Sequence, residues 1–211
     1  MRILVFGDSI AQGFWDSEGG WVARLRKHYD QQRLSGEAKD PPAFFNLGIS
    51  GDTTKMVLVR LKPETEARQF PGEEYAFIFQ TGSNDAVYRG TEHESEPDMY
   101  ARQLADIVAT ARKFSSKILF VGLTPAVDEL VQPVRWSTSG KCYSTERQAL
   151  FDKALKDFCA KNNLPVTDMF TSFSKASDLK ELLPDGLHPN DEGHKLMAGL
   201  ILPELEKLLR D

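Results

Sequence analysis

The sequence has few of the features that identify disulfide-rich, zinc-binding or membrane-spanning proteins. Its only cysteines, Cys142 and Cys159, form no Cys-x-x-Cys pair and lack metal-ligand spacing, so we expect two reduced thiols. No run of about 20 apolar residues is present, which argues against stable membrane insertion. The apolar stretch at residues 3–6 is too short for the core of a signal peptide. These absences predict a soluble protein of the cytoplasm.

Basic residues are also too few to mark a nucleic-acid-binding surface. The chain has 26 Lys and Arg residues against 31 Asp and Glu residues, a formal net charge of -5, and the basic residues are scattered. Binding to phosphates needs a basic surface, so we expect no nucleic-acid partner. The 211 residues, 41% of them hydrophobic, are enough for one sizeable core and predict a single domain over residues 1–211.

Two apolar patterns alternate along the chain. Short runs rich in Val, Ile and Phe and bounded by Gly or Pro predict strands that are buried on both faces. These runs cover residues 3–6, 43–47, 75–80, 118–123 and 165–170. The segments between them have helical spacing, as at Trp21, Val22 and Leu25, and Trp21 is expected in the core. Repeated alternation predicts an α/β fold in which helices cover both faces of a parallel sheet. A last helix is predicted at residues 189–209, and Pro203 is expected to kink it or end it.

Small and polar residues follow the predicted strands at the points where the strands end. Residues 7–9 read Gly-Asp-Ser, residues 48–52 read Gly-Ile-Ser-Gly-Asp, and residues 82–85 read Gly-Ser-Asn-Asp. Ligands of open parallel sheets bind beyond the carboxyl ends of the strands, and residues 185–189 (Asp-Gly-Leu-His-Pro) can return to the same edge. Each block alone also fits a turn or a helix cap. The prediction of a site rests on the coincidence of all four.

The residue types in these blocks suit acyl transfer. A serine hydroxyl needs a base within hydrogen-bond reach and a carboxylate that orients the base, and Ser9, His188 and Asp185 can supply these three groups. Attack on an ester carbonyl creates an oxyanion that needs hydrogen-bond donors. The N–H of Gly48, the N–H of Ser9 and the side-chain amide of Asn84 are the predicted donors.

The four blocks resemble, in the same order and over nearly the whole chain, those of the SGNH hydrolases, also called the GDSL esterase and lipase family. Ile10 stands where the family name has Leu, an apolar exchange. The resemblance implies a flavodoxin-like three-layer α/β/α sandwich with a central five-stranded parallel sheet. It also implies an esterase that acts through an acyl-serine intermediate, with Ser9, Asp185 and His188 as catalytic triad, Gly48 and Asn84 in the oxyanion hole, and no metal or other cofactor.

The substrate is predicted less closely than the reaction. A small-molecule ester is expected, and the family resemblance admits short-chain esters, acetylated sugars, thioesters and lysophospholipids. No long apolar lid is evident, which favours a short acyl or acetyl ester. The candidate substrate contacts are Asp8, Arg135, Trp136 and Tyr143, and Phe14, Trp15 and Tyr88 are further candidates for the pocket wall. Three of them lie in the irregular segment 125–143, and loops of that length are often functional.

Two other functions are consistent with parts of the sequence. One is a flavodoxin-like phosphate or nucleotide binding module without hydrolytic activity, although both glycine-rich phosphate motifs are absent. The other is a metal-dependent hydrolase that uses Asp185, His188, Asp191 and His194 at three-residue spacing. A helix beginning at Pro189 would leave the first two of these outside it, and His194 would then be a surface residue.

Overall fold

The computed structural model describes residues 1–210 and has one parallel sheet at its centre. Its strands are β1 (Arg2–Gly7), β2 (Ala43–Gly48), β3 (Tyr75–Gln80), β4 (Tyr88–Arg89), β5 (Glu92–His93), β6 (Ile118–Val121) and β7 (Val166–Thr167). Strands β4 and β5 form a separate antiparallel pair. The other five form a parallel sheet in the order β2-β1-β3-β6-β7, which is the flavodoxin-like order.

Helices cover both faces of this sheet. They are α1 (Ser9–Gln12), α2 (Gly20–Ser35), α3 (Thr54–Glu66), α4 (Pro97–Ala111), α5 (Asp128–Val131), α6 (Thr145–Asn162), α7 (Met169–Ser174) and α8 (Asp191–Arg210). Side chains alternate along β1: Leu4 and Phe6 pack with α3, α4 and α6, whereas Ile3 and Val5 pack with α2, α7 and α8. Trp21 is fully buried in the second of these layers. The predicted three-layer architecture and the predicted burial of Trp21 are therefore confirmed.

The strand register brings three strand ends to one level. Gly7, the last residue of β1, pairs with Gly48 of β2 on one side and with Gln80 of β3 on the other. The loops that follow these residues consequently start side by side. This edge is where the sequence predicts the site.

Two predicted elements differ from the structure. The fifth strand has two residues instead of the predicted 165–170, because the Asp168 side chain accepts a hydrogen bond from the Thr171 N–H and begins α7. Helix α8 continues through Pro203 to Arg210, so Pro203 does not end the helix, which was one of the two predicted outcomes. Met197, Ile201 and Leu205 are fully buried on either side of the proline, and this packing outweighs the lost backbone hydrogen bond. Over residues 1–210, no helix combines the length and the apolarity that crossing a membrane requires.

Candidate active site

Ser9 lies on a tight turn between β1 and the short helix α1. Asp8 caps that helix, since its Oδ1 accepts a hydrogen bond from the Ile10 N–H at 2.9 Å. Gly7 has no room for a side chain, because an added Cβ would lie 2.6 Å from the Cβ of Ala11 and 2.8 Å from the carbonyl oxygen of Gln80. The turn therefore holds Ser9 close to the end of the sheet, with 6% of its surface exposed.

The structure brings Ser9, His188 and Asp185 together. Ser9 Oγ lies 2.9 Å from His188 Nε2, and His188 Nδ1 lies 2.7 Å from Asp185 Oδ2. The other carboxylate oxygen of Asp185 accepts hydrogen bonds from the N–H groups of Leu187 and His188. Because a carboxylate only accepts, Nδ1 of His188 carries the hydrogen and Nε2 is free to accept the hydroxyl proton of Ser9.

The Asp185 carboxylate is held in its charged form. Burial raises the pKa of this carboxyl, but the hydrogen bond and charge interaction with His188 and the two backbone N–H groups outweigh burial and lower the pKa to about 2. Trp15 adds a donor that the sequence did not predict, since its Nε1 lies 2.7 Å from Asp185 Oδ2. Trp15 has a left-handed backbone, with φ of 64°, and no sequence pattern indicates this conformation for a tryptophan.

Gly48, predicted as an oxyanion donor, packs closely against α1. Its N–H already donates to Asn46 Oδ1 at 3.0 Å, and Gly48 is not part of the pocket wall around Ser9. An added Cβ would lie 2.5 Å from the backbone nitrogen of Gln12. This glycine lets the end of β2 approach α1 closely, which is a packing role.

Gly51, three residues further on, faces the pocket instead. It lines the same cavity as Ser9 and Asn84, and its N–H donates no hydrogen bond to any atom of residues 1–210. Its φ of 86° lies in the left-handed region, which favours glycine. Both glycines are visible in the sequence, but the spacing alone did not distinguish the one that packs from the one that faces the pocket.

Asn84 is buried beside Ser9 and is held on both sides of its amide. Its Nδ2 donates to the carbonyl oxygen of Asp52 at 3.0 Å, and its Oδ1 accepts from the Tyr143 hydroxyl at 2.9 Å. The neighbouring Asp85 caps α3 by accepting from the N–H and hydroxyl of Thr54. Burial raises the pKa of Asp85 to about 6, although the bonds from Thr54 oppose this change.

The pocket around Ser9 has a volume of about 440 Å³, within the range of small-molecule sites. Trp136, Phe14 and Trp15 are part of its wall, and the centroids of the Trp136 and His188 rings lie 5.5 Å apart. Arg135, Asp8 and Tyr88 are not part of the wall. Arg135 points to solvent, Asp8 is buried under the turn that it caps, and Tyr88 lies in the β4–β5 pair. Tyr143 lines the pocket but is only 4% exposed.

His194 is fully buried, so the prediction of a surface residue is wrong. Its Nδ1 accepts from the Trp21 N–H and its Nε2 donates to the Phe14 carbonyl oxygen, and burial lowers its pKa. His194 stands three residues before Met197 on the buried stripe of α8, a spacing that could have indicated burial.

The four residues of the metal alternative do not converge on one point. Asp191 accepts hydrogen bonds from Ser17, and His194 is bonded to other residues than Asp185 and His188. Residues 1–210 contain no group of three or more potential ligands arranged to hold a metal ion.

Comparison with known proteins places the chain in a family and supports the fold. The profile of the GDSL-like lipase/acylhydrolase family matches residues 5–196, and the chain belongs to this family. A GDSL esterase/lipase of Arabidopsis thaliana is 27% identical over 220 residues, which cover 95% of this chain and 77% of the relative. Thioesterase 1/protease 1/lysophospholipase L1 of Escherichia coli is 21% identical and covers 98% of this chain and 84% of the relative.

A solved structure extends the similarity to three dimensions. The lipase/acylhydrolase of Enterococcus faecalis has a TM-score of 0.74 at 25% identity, with 98% of this chain and 95% of that chain covered. The predicted family and fold class are confirmed, and the protein is a carboxylic ester hydrolase.

Proposed function

We propose that the protein is a serine esterase in which Ser9 is the nucleophile, His188 the general base and Asp185 the carboxylate that orients the base. The observation that carries the proposal is the continuous chain of contacts from Ser9 Oγ through the imidazole to the carboxylate, at 2.9 and 2.7 Å, which opens on one pocket. These are the distances and partners that an activated serine needs.

In the first half of the reaction, His188 Nε2 takes the hydroxyl proton as Ser9 Oγ attacks the ester carbonyl carbon. The tetrahedral intermediate then has a negative oxygen. Its donors are the N–H groups of Ser9 and Gly51 and the Nδ2 group of Asn84, with Gly51 in the place first predicted for Gly48. Asp185 stabilises the imidazolium that forms, because its low pKa keeps it charged.

In the second half, the imidazolium gives its proton to the leaving oxygen, and the alcohol departs from an acyl-Ser9 enzyme. Water enters, His188 takes one of its protons, and the resulting hydroxide attacks the acyl carbon. The second tetrahedral intermediate collapses, Ser9 recovers its proton, and the free acid leaves. The chain's own residues supply every proton transfer in this sequence.

The pocket favours a short acyl or acetyl ester. Its volume of about 440 Å³ must contain both the acyl group and part of the leaving group, which suits a small ester. Aromatic rings and the polar side chains of Ser50, Ser137 and Lys141 share its wall. Because the Escherichia coli relative is named as a thioesterase and lysophospholipase, a short acyl thioester is the second substrate class to test.

The first test is the release of p-nitrophenol from p-nitrophenyl acetate by wild type and by Ser9→Ala, with and without chelator. The matched control is Ser35→Ala, an exposed serine at the end of α2. We expect activity that survives chelator, is retained by the control and vanishes in Ser9→Ala. Full activity in a folded Ser9→Ala protein would overturn the proposal. Activity lost with chelator would favour the metal-dependent alternative, and a folded wild type inactive on acetyl, butyryl and thioester substrates would favour the binding module.

A further inference from the structure

The amide of Asn84 can be placed in two ways, and its surroundings select one. The carbonyl oxygen of Asp52 lies 3.0 Å from Nδ2. A carbonyl only accepts, so the NH₂ group must face it and the amide oxygen must face the other way. The second Nδ2 hydrogen has only a 3.5 Å contact with Asp8 Oδ2, at the limit of a hydrogen bond, and is available to a substrate oxygen.

The Tyr143 hydroxyl holds the opposite end of this amide. It lies 2.9 Å from Asn84 Oδ1, and both residues are buried. Since Oδ1 can only accept, Tyr143 must donate. Burial raises the pKa of Tyr143 well above its usual value, so the hydroxyl keeps its proton and remains a donor throughout the pH range in which a serine esterase works.

The backbone around Tyr143 fixes the position of this hydroxyl. The N–H of Tyr143 donates to the carbonyl oxygen of Val131 at 3.1 Å. The preceding residue, Cys142, exchanges two backbone hydrogen bonds with Tyr88, and the following residue, Ser144, caps α6. A residue so constrained on both sides can orient its neighbour, whereas a mobile loop residue cannot.

We propose that Tyr143 is a positioning residue for the oxyanion hole. Its hydroxyl directs the free Nδ2 hydrogen of Asn84 towards the developing oxyanion and makes this N–H a stronger donor. A hydrogen bond received by an amide oxygen polarises the amide and makes its N–H groups better donors. Without the hydroxyl, Oδ1 would be buried without a donor and the amide could turn. The inference rests on the proposed esterase function and goes beyond it, because Tyr143 touches Asn84 and not the reacting atoms.

The variant that tests this is Tyr143→Phe, which removes only the hydroxyl. We expect kcat on p-nitrophenyl acetate to fall roughly 3- to 10-fold, the range of one lost hydrogen bond, while KM changes little. The Ki of a trifluoromethyl ketone, which forms an oxyanion on the serine, should rise by the same factor. The matched control is Tyr29→Phe, since the Tyr29 hydroxyl is also buried but has no hydrogen-bond partner within residues 1–210. Its kcat should be that of wild type.

A double-mutant cycle separates positioning from a merely structural effect. In an Asn84→Ala background, Tyr143→Phe should have no further effect on kcat, because its effect passes through the missing amide. An equal loss in both backgrounds, or no loss in wild type, would overturn the role of Tyr143 and leave the esterase proposal intact. If Asn84→Ala itself kept full kcat, the proposed oxyanion hole and this inference would both be wrong.

Discussion

The two sides of the pocket are built differently. On one side, Ser9, Gly51 and Asn84 lie on short turns at the ends of adjacent strands, and each turn is tied to the sheet or to a helix terminus. On the other side, Trp136 and Tyr143 belong to the long segment after β6, and Trp136 is 46% exposed. The strand-end side is suited to stabilising charge because its turns are tied in place, whereas Trp136 on the loop side is exposed and free to differ in what it contacts.

Tyr143, His188 and Asp185 also lie on loops but are held in place, Tyr143 by the backbone hydrogen bonds described above. Asp185 and His188 stand on a loop, yet the Asp185 carboxylate accepts the N–H groups of Leu187 and His188 and closes the turn on itself. A loop residue can therefore be placed as firmly as a strand-end residue when its own backbone holds it. The comparison predicts that substitutions at such fixed positions change kcat, and that those at exposed loop positions change KM.

After the complete loss expected of Ser9→Ala, the largest expected effect is that of Asp185→Asn. The amide cannot stabilise the imidazolium and favours the wrong tautomer of His188, so kcat should fall by about 10⁴-fold. Steady-state kinetics on p-nitrophenyl acetate measures this. Asp178→Asn is the control, since its carboxylate caps only the short 3-10 helix Leu179–Glu181. A loss below tenfold in Asp185→Asn would contradict the role of the carboxylate.

Gly51→Ala should lower the catalytic rate, whereas Gly48→Ala should lower the stability of the fold. An alanine at 51 meets no atom within 4 Å but is strained at φ of 86°, so the donor should shift and kcat should fall by about 10- to 100-fold in a folded protein. An alanine at 48 would overlap Gln12 and should destabilise the fold by about 1–3 kcal/mol. Kinetics together with urea unfolding distinguishes the two. A loss of kcat in Gly48→Ala and a loss of stability in Gly51→Ala would instead support Gly48 as the oxyanion donor.

A smaller effect is expected at the exposed part of the loop side. Trp136→Ala should raise KM by roughly 3- to 10-fold and leave kcat nearly unchanged, because a ring of the pocket wall is removed. The adjacent Arg135→Ala should change neither constant, since Arg135 lies outside the wall. A larger change in KM for Arg135→Ala than for Trp136→Ala would contradict the claim that Trp136, and not Arg135, belongs to the pocket wall.

The smallest effect on the rate is expected from Asp85→Asn, which should instead change how stability depends on pH. Burial raises the folded-state pKa of Asp85 from 3.8 to about 6, so this group favours folding below pH 4 and the contribution is lost as pH rises towards 6. The variant should therefore lose less stability than wild type between pH 4 and pH 6. Thermal melts across this range provide the measurement, with the exposed Asp106→Asn as control. Parallel pH curves for wild type and Asp85→Asn would contradict the assignment.

The sequence predicts the parts of the molecule in which local chemistry and strand order agree. The parallel sheet and the gathering of Ser9 and Asn84 at one edge follow from buried strands and the polar residues at their ends, whereas strand order alone does not bring His188 to that edge. The sequence does not show which backbone N–H groups are already bonded, so it predicts Gly48 as a donor and gives no indication of Gly51. The prediction of His194 at the surface fails because its polar neighbours obscure the apolar stripe, and the prediction that Pro203 kinks or ends the helix takes no account of the tertiary packing that maintains α8. The single domain, the cytoplasmic location and the lack of a nucleic-acid partner stay predictions.

The contact between Ser9 and His188 joins residues that are 179 positions apart, and the bond from His194 to Phe14 spans 180. Contacts of such long sequence separation carry a large loop-closure entropy and form only when both partners are present. During synthesis on the ribosome, Ser9 emerges long before His188 exists. On the proposed mechanism, the nascent chain therefore carries a serine that has no base, and hydrolysis begins only after His188 has been made and has reached Ser9.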